Sequence, residues 1–340
     1  MYESPFQTHA DLLINGWNAS ARYLQSFVLS MHDGNKYEFS ASELSSLTDD
    51  HFSIFIELAE YFRSEGGDGF PFRDVCAKMI ERRPDYRELP VGLHPFPDPE
   101  FVFVPDQSDL AKHLHPLFTI DLSMVNPEWS GSLYMLSPLE PAEHRLVGYA
   151  TRETDYQSPL LHTNWIGFKI EDRRYRLMGD PRYFFLHEQN IDLPDPYPEA
   201  RSELLDFYEQ QNAAFAAARA TYNKTGYLFN PDKLVLGARV DSRDLCPFVE
   251  QIGGDVDIGQ VWAGNMPLYI SESRPNGISP VYPRSPSGNP FYHVASTPAN
   301  SYQQMGADKI IMFYEPVEQL VLFTFHWEQF PDISLSFPIA

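Results

Sequence analysis

Cysteine is nearly missing from this chain: Cys76 and Cys246 are the whole complement among 340 residues. That argues against a disulfide-stapled scaffold and against a zinc site built on paired CxxC motifs. Two thiols 170 positions apart read as buried and reduced in a cytosolic protein, with one long-range disulfide as the alternative. Long apolar runs are missing too. The longest, Ile310–Tyr314 and Leu320–Phe325, are strand-sized, so no membrane-spanning helix is expected. The opening MYESPFQTHADLL has no basic stretch followed by an apolar core, which argues against a secretory signal and for a cytoplasmic protein.

Positive charge is scarce. Lys and Arg number 25 against 47 Asp and Glu, a net charge of −22. The excess is spread out: residues 1–100 carry 17 acids and 8 bases, residues 101–200 carry 15 and 8, and residues 201–340 carry 15 and 9. Such a chain repels phosphate backbones, so direct nucleic-acid binding is disfavoured. It attracts a basic partner and speeds their encounter. Solubility alone is the plainer reading of the same charge.

What is abundant is aromatic and proline residue: 14% Phe, Trp and Tyr, and 29 prolines, a composition that suits a packed, loop-rich and strand-rich protein. Helical spacing predicts a helix from Thr8 to Met31, a second from Thr48 or Asp49 to Gly66-Gly67, and a third from Phe72 to Arg83. After the proline-rich stretch 89–100 the period shortens. Phe101–Val104, Leu117–Leu122, Ser132–Leu136, Leu146–Ala150, Asn164–Ile170, Tyr175–Met178 and Tyr183–Leu186 read as antiparallel strands, with hairpin turns at Asp180-Pro181 and Glu171-Asp172. A helix is expected from Glu199 to Tyr222, with Leu204, Leu205, Phe207, Phe215 and Ala218 inward. Strands then resume at Leu234–Val240, Phe248–Ile252, Leu268–Ile270, Phe291–Val294, Lys309–Tyr314 and Leu320–Trp327. Between them, Ser271–Pro290 holds five prolines and reads as a long surface loop. The expected class is α+β: a helical N-terminal part (1–88), then two antiparallel β-rich halves (89–195 and 196–340) joined by one long helix. The alternative is two domains, 1–195 and 196–340, with a groove between them.

No motif dictates a reaction. His113 and His115 share a face only if extended, and no HExxH or CxxC accompanies them. Asp241, Asp244, Asp255 and Asp257 lack the spacing of a calcium loop. There is no GxSxG elbow. Arg243 stands near Cys246 and would lower a thiol pKa, but a buried inert thiol is the plainer reading. Neither Gly66-Gly67 nor Gly253-Gly254 is followed by the lysine and hydroxyl of a P-loop. No catalytic residue, metal or cofactor is therefore assigned.

The stretch FVEQIGGDVDIGQVWAGNMPLYI, from Phe248 to Ile270, is the densest in chemistry. Paired glycines permit a sharp reversal, and two aspartates one residue apart project together from an extended backbone. Asp241, Asp244, Glu250, Asp255, Asp257 and Trp262 form the candidate partner-binding patch, with aromatics to anchor and carboxylates to steer. The run Ile252-Gly253-Gly254 to Gln260, followed by KIIMFYEPVEQLVLFTFHW at 309–327, resembles the YwqG-like family of bacterial proteins; Leu117–Asp121 followed by Gly131–Leu136 is similar to that family's first half. The proline and aromatic of the family's motif are replaced here by Asp255 and Val256, and the helical N-terminus lies outside the resemblance. The resemblance implies a bacterial immunity or antitoxin-like protein and supplies no catalytic residues. The expected function is thus non-enzymatic occlusion of a basic toxin, a nuclease being one such effector, through an acidic and aromatic surface or an interdomain cleft. A hydrolase acting on a small molecule or sugar through a carboxylate pair is the alternative.

Overall fold

The computed structural model describes residues 4–16, 19–34, 37, 39, 41, 44, 47–82, 89–140, 146–196, 199–241, 244–254, 256, 268–270 and 281–326. The protein is α+β, with helices leading and antiparallel sheets following. Two compact units divide the chain. The first is built on residues 4–82, with Gln251–Gly253 grouped with it; the second carries the other described residues from 89 onward.

In the first unit lie α1 (Pro5–Thr8), α2 (Ala10–Asn15), α3 (Ala19–His32), α4 (Asp49–Glu65) and α5 (Phe70–Arg82). The expected helix over 8–31 is interrupted: Gly16, extended at φ −66° and ψ 133°, ends α2. Thr48 caps α4 as its sequence predicts, its hydroxyl accepting from His51 N–H, which satisfies one orphan donor of the first turn. Phe6, Leu24, Val28, Leu58, Phe72 and Met79 pack into one core.

In the second unit, β1 (Leu93–Pro95), β2 (Leu114–Asp121) and β3 (Ser132–Pro138) form an antiparallel sheet in that order. Next come β4 (Leu161–His162), β5 (Trp165–Glu171), β6 (Arg174–Leu177), α6 (Ala200–Thr225), β7 (Leu228–Phe229), α7 (Pro231–Val235) and β8 (Leu245–Cys246). After β9 (Gln251–Ile252), the chain forms β10 (Leu268–Ile270), β11 (Val281–Pro283), β12 (Tyr292–Thr297), β13 (Lys309–Glu315) and β14 (Leu320–His326). The larger sheet runs β4-β5-β14-β13-β12, and β6 pairs with the far end of β5. Leu320 faces Lys169 and Thr324 faces Trp165, so strands from either side of residue 195 share one sheet. β10 and β11 pair with each other, and Val281–Pro283 thus places a strand inside the expected 271–290 loop.

Four expected strands, 101–104, 146–150, 183–186 and 234–240, are not formed, and three of them follow an Asx-Pro pair. Asp98, Asp180 and Asn230 each precede a proline, and each side chain accepts a backbone N–H two residues on. An Asx cap with proline at the first helical position starts a helix. It produces short 3-10 turns at Pro99–Phe101 and Pro181–Tyr183 and the helix α7, which take up the first residues of the expected strands 101–104, 183–186 and 234–240. Leu146–Ala150 is likewise turn rather than strand. Among the described residues, no helix is long and apolar enough to cross a membrane.

Candidate functional site

The helix α6 organises the chemistry of the second unit. Leu204, Phe207, Ala214, Phe215 and Ala218 are buried, while Leu205 is 55% exposed, contrary to its expected inward place. It shares the outer face with Asp206 and Glu209, both exposed, because one residue step turns a helix by about 100°.

His113 and His115 meet this helix one turn apart. The Tyr208 hydroxyl lies 3.1 Å from His113 Nδ1, and Asn212 Oδ1 lies 2.9 Å from His115 Nε2. His115 lies on β2 and His113 in the turn just before it, and each meets one of two α6 residues four positions, about 6 Å, apart. His113 stacks on Phe184 at 4.9 Å with an interplanar angle of 2°, and His115 on Phe215 at 4.2 Å and 8°. Burial, with the nearby His187 and Lys112, pushes the His113 pKa down to about 3. His115 is also held below its ordinary value by burial, against the opposing pull of its two hydrogen bonds. Its other nitrogen, Nδ1, sits 3.0 Å from Gln303 Oε1. Both amides have fixed orientations: Asn212 Nδ2 donates to the Tyr208 carbonyl and Gln303 Nε2 to the Met305 carbonyl, each at 2.8 Å.

Behind Tyr208 lies Glu140, only 3% exposed. Its Oε1 accepts from Leu186 N–H at 3.0 Å and from the Tyr208 hydroxyl at 3.2 Å. Burial raises its pKa to about 7, although these bonds and the charge of Arg201 oppose the rise. Between the ordinary value near 4.5 and about 7, the folded chain therefore holds a proton that the unfolded chain releases. Stability from this group is full below the ordinary value and declines as pH rises through 7, by roughly 3 kcal/mol in total. Glu140→Gln should abolish that decline. Urea unfolding at pH 5 and pH 8 would show the wild type losing roughly 3 kcal/mol relative to the variant; parallel pH profiles would mean that Glu140 does not titrate there.

Beyond Asn212, the same helix borders an open recess of about 430 Å³. Asn212, Arg219, Asn223 and His115 are the polar side chains in its lining, with Pro116 and Phe215 among the apolar ones.

The sequence-derived patch is distributed differently. Asp241 is exposed, and its backbone N–H donates to Asp244 Oδ2 at 3.0 Å. The Asp244 side chain is only 10% exposed and is ion-paired with Lys233, whose ammonium holds the carboxyl below the usual range. Glu250 Oε1 lies 3.7 Å from Lys309 Nζ. Asp255, Asp257 and Trp262 lie outside the described residues. Cys76 and Cys246 are free thiols. Burial pushes Cys76 up to about 12; burial, with Asp244 and Asp232, pushes Cys246 up to about 11, the reverse of an activated thiolate. Among the described residues, no group of three or more His, Cys, Asp or Glu could hold a metal ion.

Glu140, Tyr208, Asn212 and Arg219 are the residues that sequence reasoning passed over. Their signal was the His-x-His pair at the start of an apolar strand, set against polar residues four apart on the long helix. Comparison with family models, curated proteins and solved structures finds no match for the chain.

Proposed function

We propose that this is a non-enzymatic binding protein of the immunity or antitoxin kind, which takes a basic toxin on an acidic surface and occludes it. One observation carries the reading: Glu203, Asp206 and Glu209 stand exposed along α6 beside the exposed Leu205, and none forms an ion pair among the described residues. In a chain of net charge −22, carboxylates with no ion-pair partner among the described residues are available to steer a cation-rich surface. An apolar side chain among them supplies contact area. Asp244 and Glu250 already face lysines of their own chain and have less to offer. Asp255, Asp257 and Trp262 belong to the reading through the sequence alone, as does the YwqG-like resemblance.

The test is charge reversal. Tagged wild type and a Glu203→Lys, Asp206→Lys, Glu209→Lys variant would be used to capture partners from the native host at low and high salt. A single stoichiometric basic protein is expected with the wild type, associating about 10- to 100-fold more slowly with the variant and as salt rises. A partner that binds both proteins alike at both salt levels would remove α6 from the interface. Turnover of a small molecule without any partner would overturn the reading.

A further inference from the structure

The recess beside α6 carries an inference separate from partner binding. Among its lining residues, Arg219, Asn212 and Asn223 carry side-chain N–H donors, the two amides bringing an acceptor oxygen each as well. Arg219 lines the recess and makes no ion pair or hydrogen bond among the described residues. Asn212 commits one N–H to the Tyr208 carbonyl, and an amide nitrogen carries two, so the second remains for a ligand. Asn223 lies one helical turn beyond Arg219 on the recess wall. Residues 212, 219 and 223 fall on one helical stripe at i, i+7 and i+11, so their polar ends point the same way.

The walls are apolar. Phe215 is buried against His115, ring on ring, and Pro116 also lines the recess. A volume of about 430 Å³ is within the range of small-molecule sites. A planar five-donor fork flanked by amides matches an oxyanion bidentately, and the apolar wall matches a ring or short hydrocarbon. The net charge of −22 opposes anions at long range, but screening confines that field to about 8 Å at physiological salt. The local guanidinium then decides. We propose that this recess binds a small organic anion, its oxyanion group held by Arg219 with Asn212 and Asn223 and its apolar body laid against Phe215 and Pro116.

Titration calorimetry of the full chain would use benzoate, inorganic phosphate and the neutral analogue benzamide as probes. Saturable binding of benzoate, about tenfold or more weaker in Arg219→Gln, is the expected result, with benzamide weaker than benzoate. Arg239, exposed and outside the recess, gives the control: Arg239→Gln should bind as the wild type does. Phosphate binding that exceeds benzoate binding and falls equally in Arg219→Gln would keep the oxyanion site and assign it to phosphate esters. Benzamide binding as well as benzoate, binding unchanged in Arg219→Gln, or no saturable binding of any probe would each overturn the proposal. Matching circular dichroism of the Arg219 variant and wild type separates lost binding from lost fold. Loss of the toxin partner leaves this result untouched, and the reverse also holds.

Discussion

Gly148→Ala should destabilise the protein by about 3–5 kcal/mol, adding a steric clash to a backbone penalty. A Cβ at Gly148 would meet the Tyr183 ring, with heavy atoms near 2.3 Å, and the backbone there has φ +72°. Tyr183 has no room to retreat: it is fully buried, stacks edge-on against Phe184, and donates its hydroxyl to the His162 carbonyl at 3.1 Å. Gly237 supplies the comparison, because its φ of +63° is similar while nothing lies within 4 Å of a built Cβ. Gly237→Ala should therefore show the backbone cost alone, about 1–2 kcal/mol. Urea unfolding of both variants checks this. Equal losses would mean that Tyr183 yields and that packing around it is loose.

Acid should cost the fold its contribution from His113. A pKa held near 3 by burial keeps the ring neutral in the folded chain, whereas the unfolded chain takes up a proton near the ordinary value of 6.5. The unfolded state thus binds more protons in that window. The contribution is complete above 6.5 and disappears as pH falls toward 3, with an upper bound of roughly 5 kcal/mol. His113→Phe keeps a ring against Phe184 and has no proton to gain. Between pH 7 and pH 4 the stability difference between wild type and variant should shift by roughly 3 kcal/mol in the variant's favour. Glu140 acts in the opposite direction over an overlapping range, so the wild type's own profile between pH 5 and 7 should look flatter than either group alone would make it. Single variants resolve the two; unchanged acid sensitivity in His113→Phe would assign acid unfolding to other groups.

Periodic elements with local punctuation were legible in the sequence. Thr48 and Gly66 bound α4, an alanine-rich centre marks α6, and the apolar runs at 309–315 and 320–326 are β13 and β14. Asp180-Pro181 misled because the same two residues open a turn or a helix; which follows depends on whether the next N–H groups find the side chain. Leu205 misled because an apolar residue was assumed to face inward, though it stands one step off the buried stripe. The site was less legible than the fold. A charge count does not reveal that Lys233 neutralises Asp244 eleven positions away or that Lys309 approaches Glu250. Nor does it distinguish Glu140, whose burial arises from β3 and the 184–186 segment meeting α6. Those juxtapositions span 46 and 68 positions, beyond any local pattern.

The two fixed amides around His115 set a parity problem. Both present oxygen to the ring, and a neutral imidazole carries one N–H, so only one of the two can be satisfied at a time. With the proton on Nε2 the strand is tied to α6 through Asn212; with it on Nδ1 the strand is tied to the 302–306 turn through Gln303. Each tautomer of the neutral ring therefore directs its one N–H to either the helix or the turn. Only a ring carrying both protons would hold the two together.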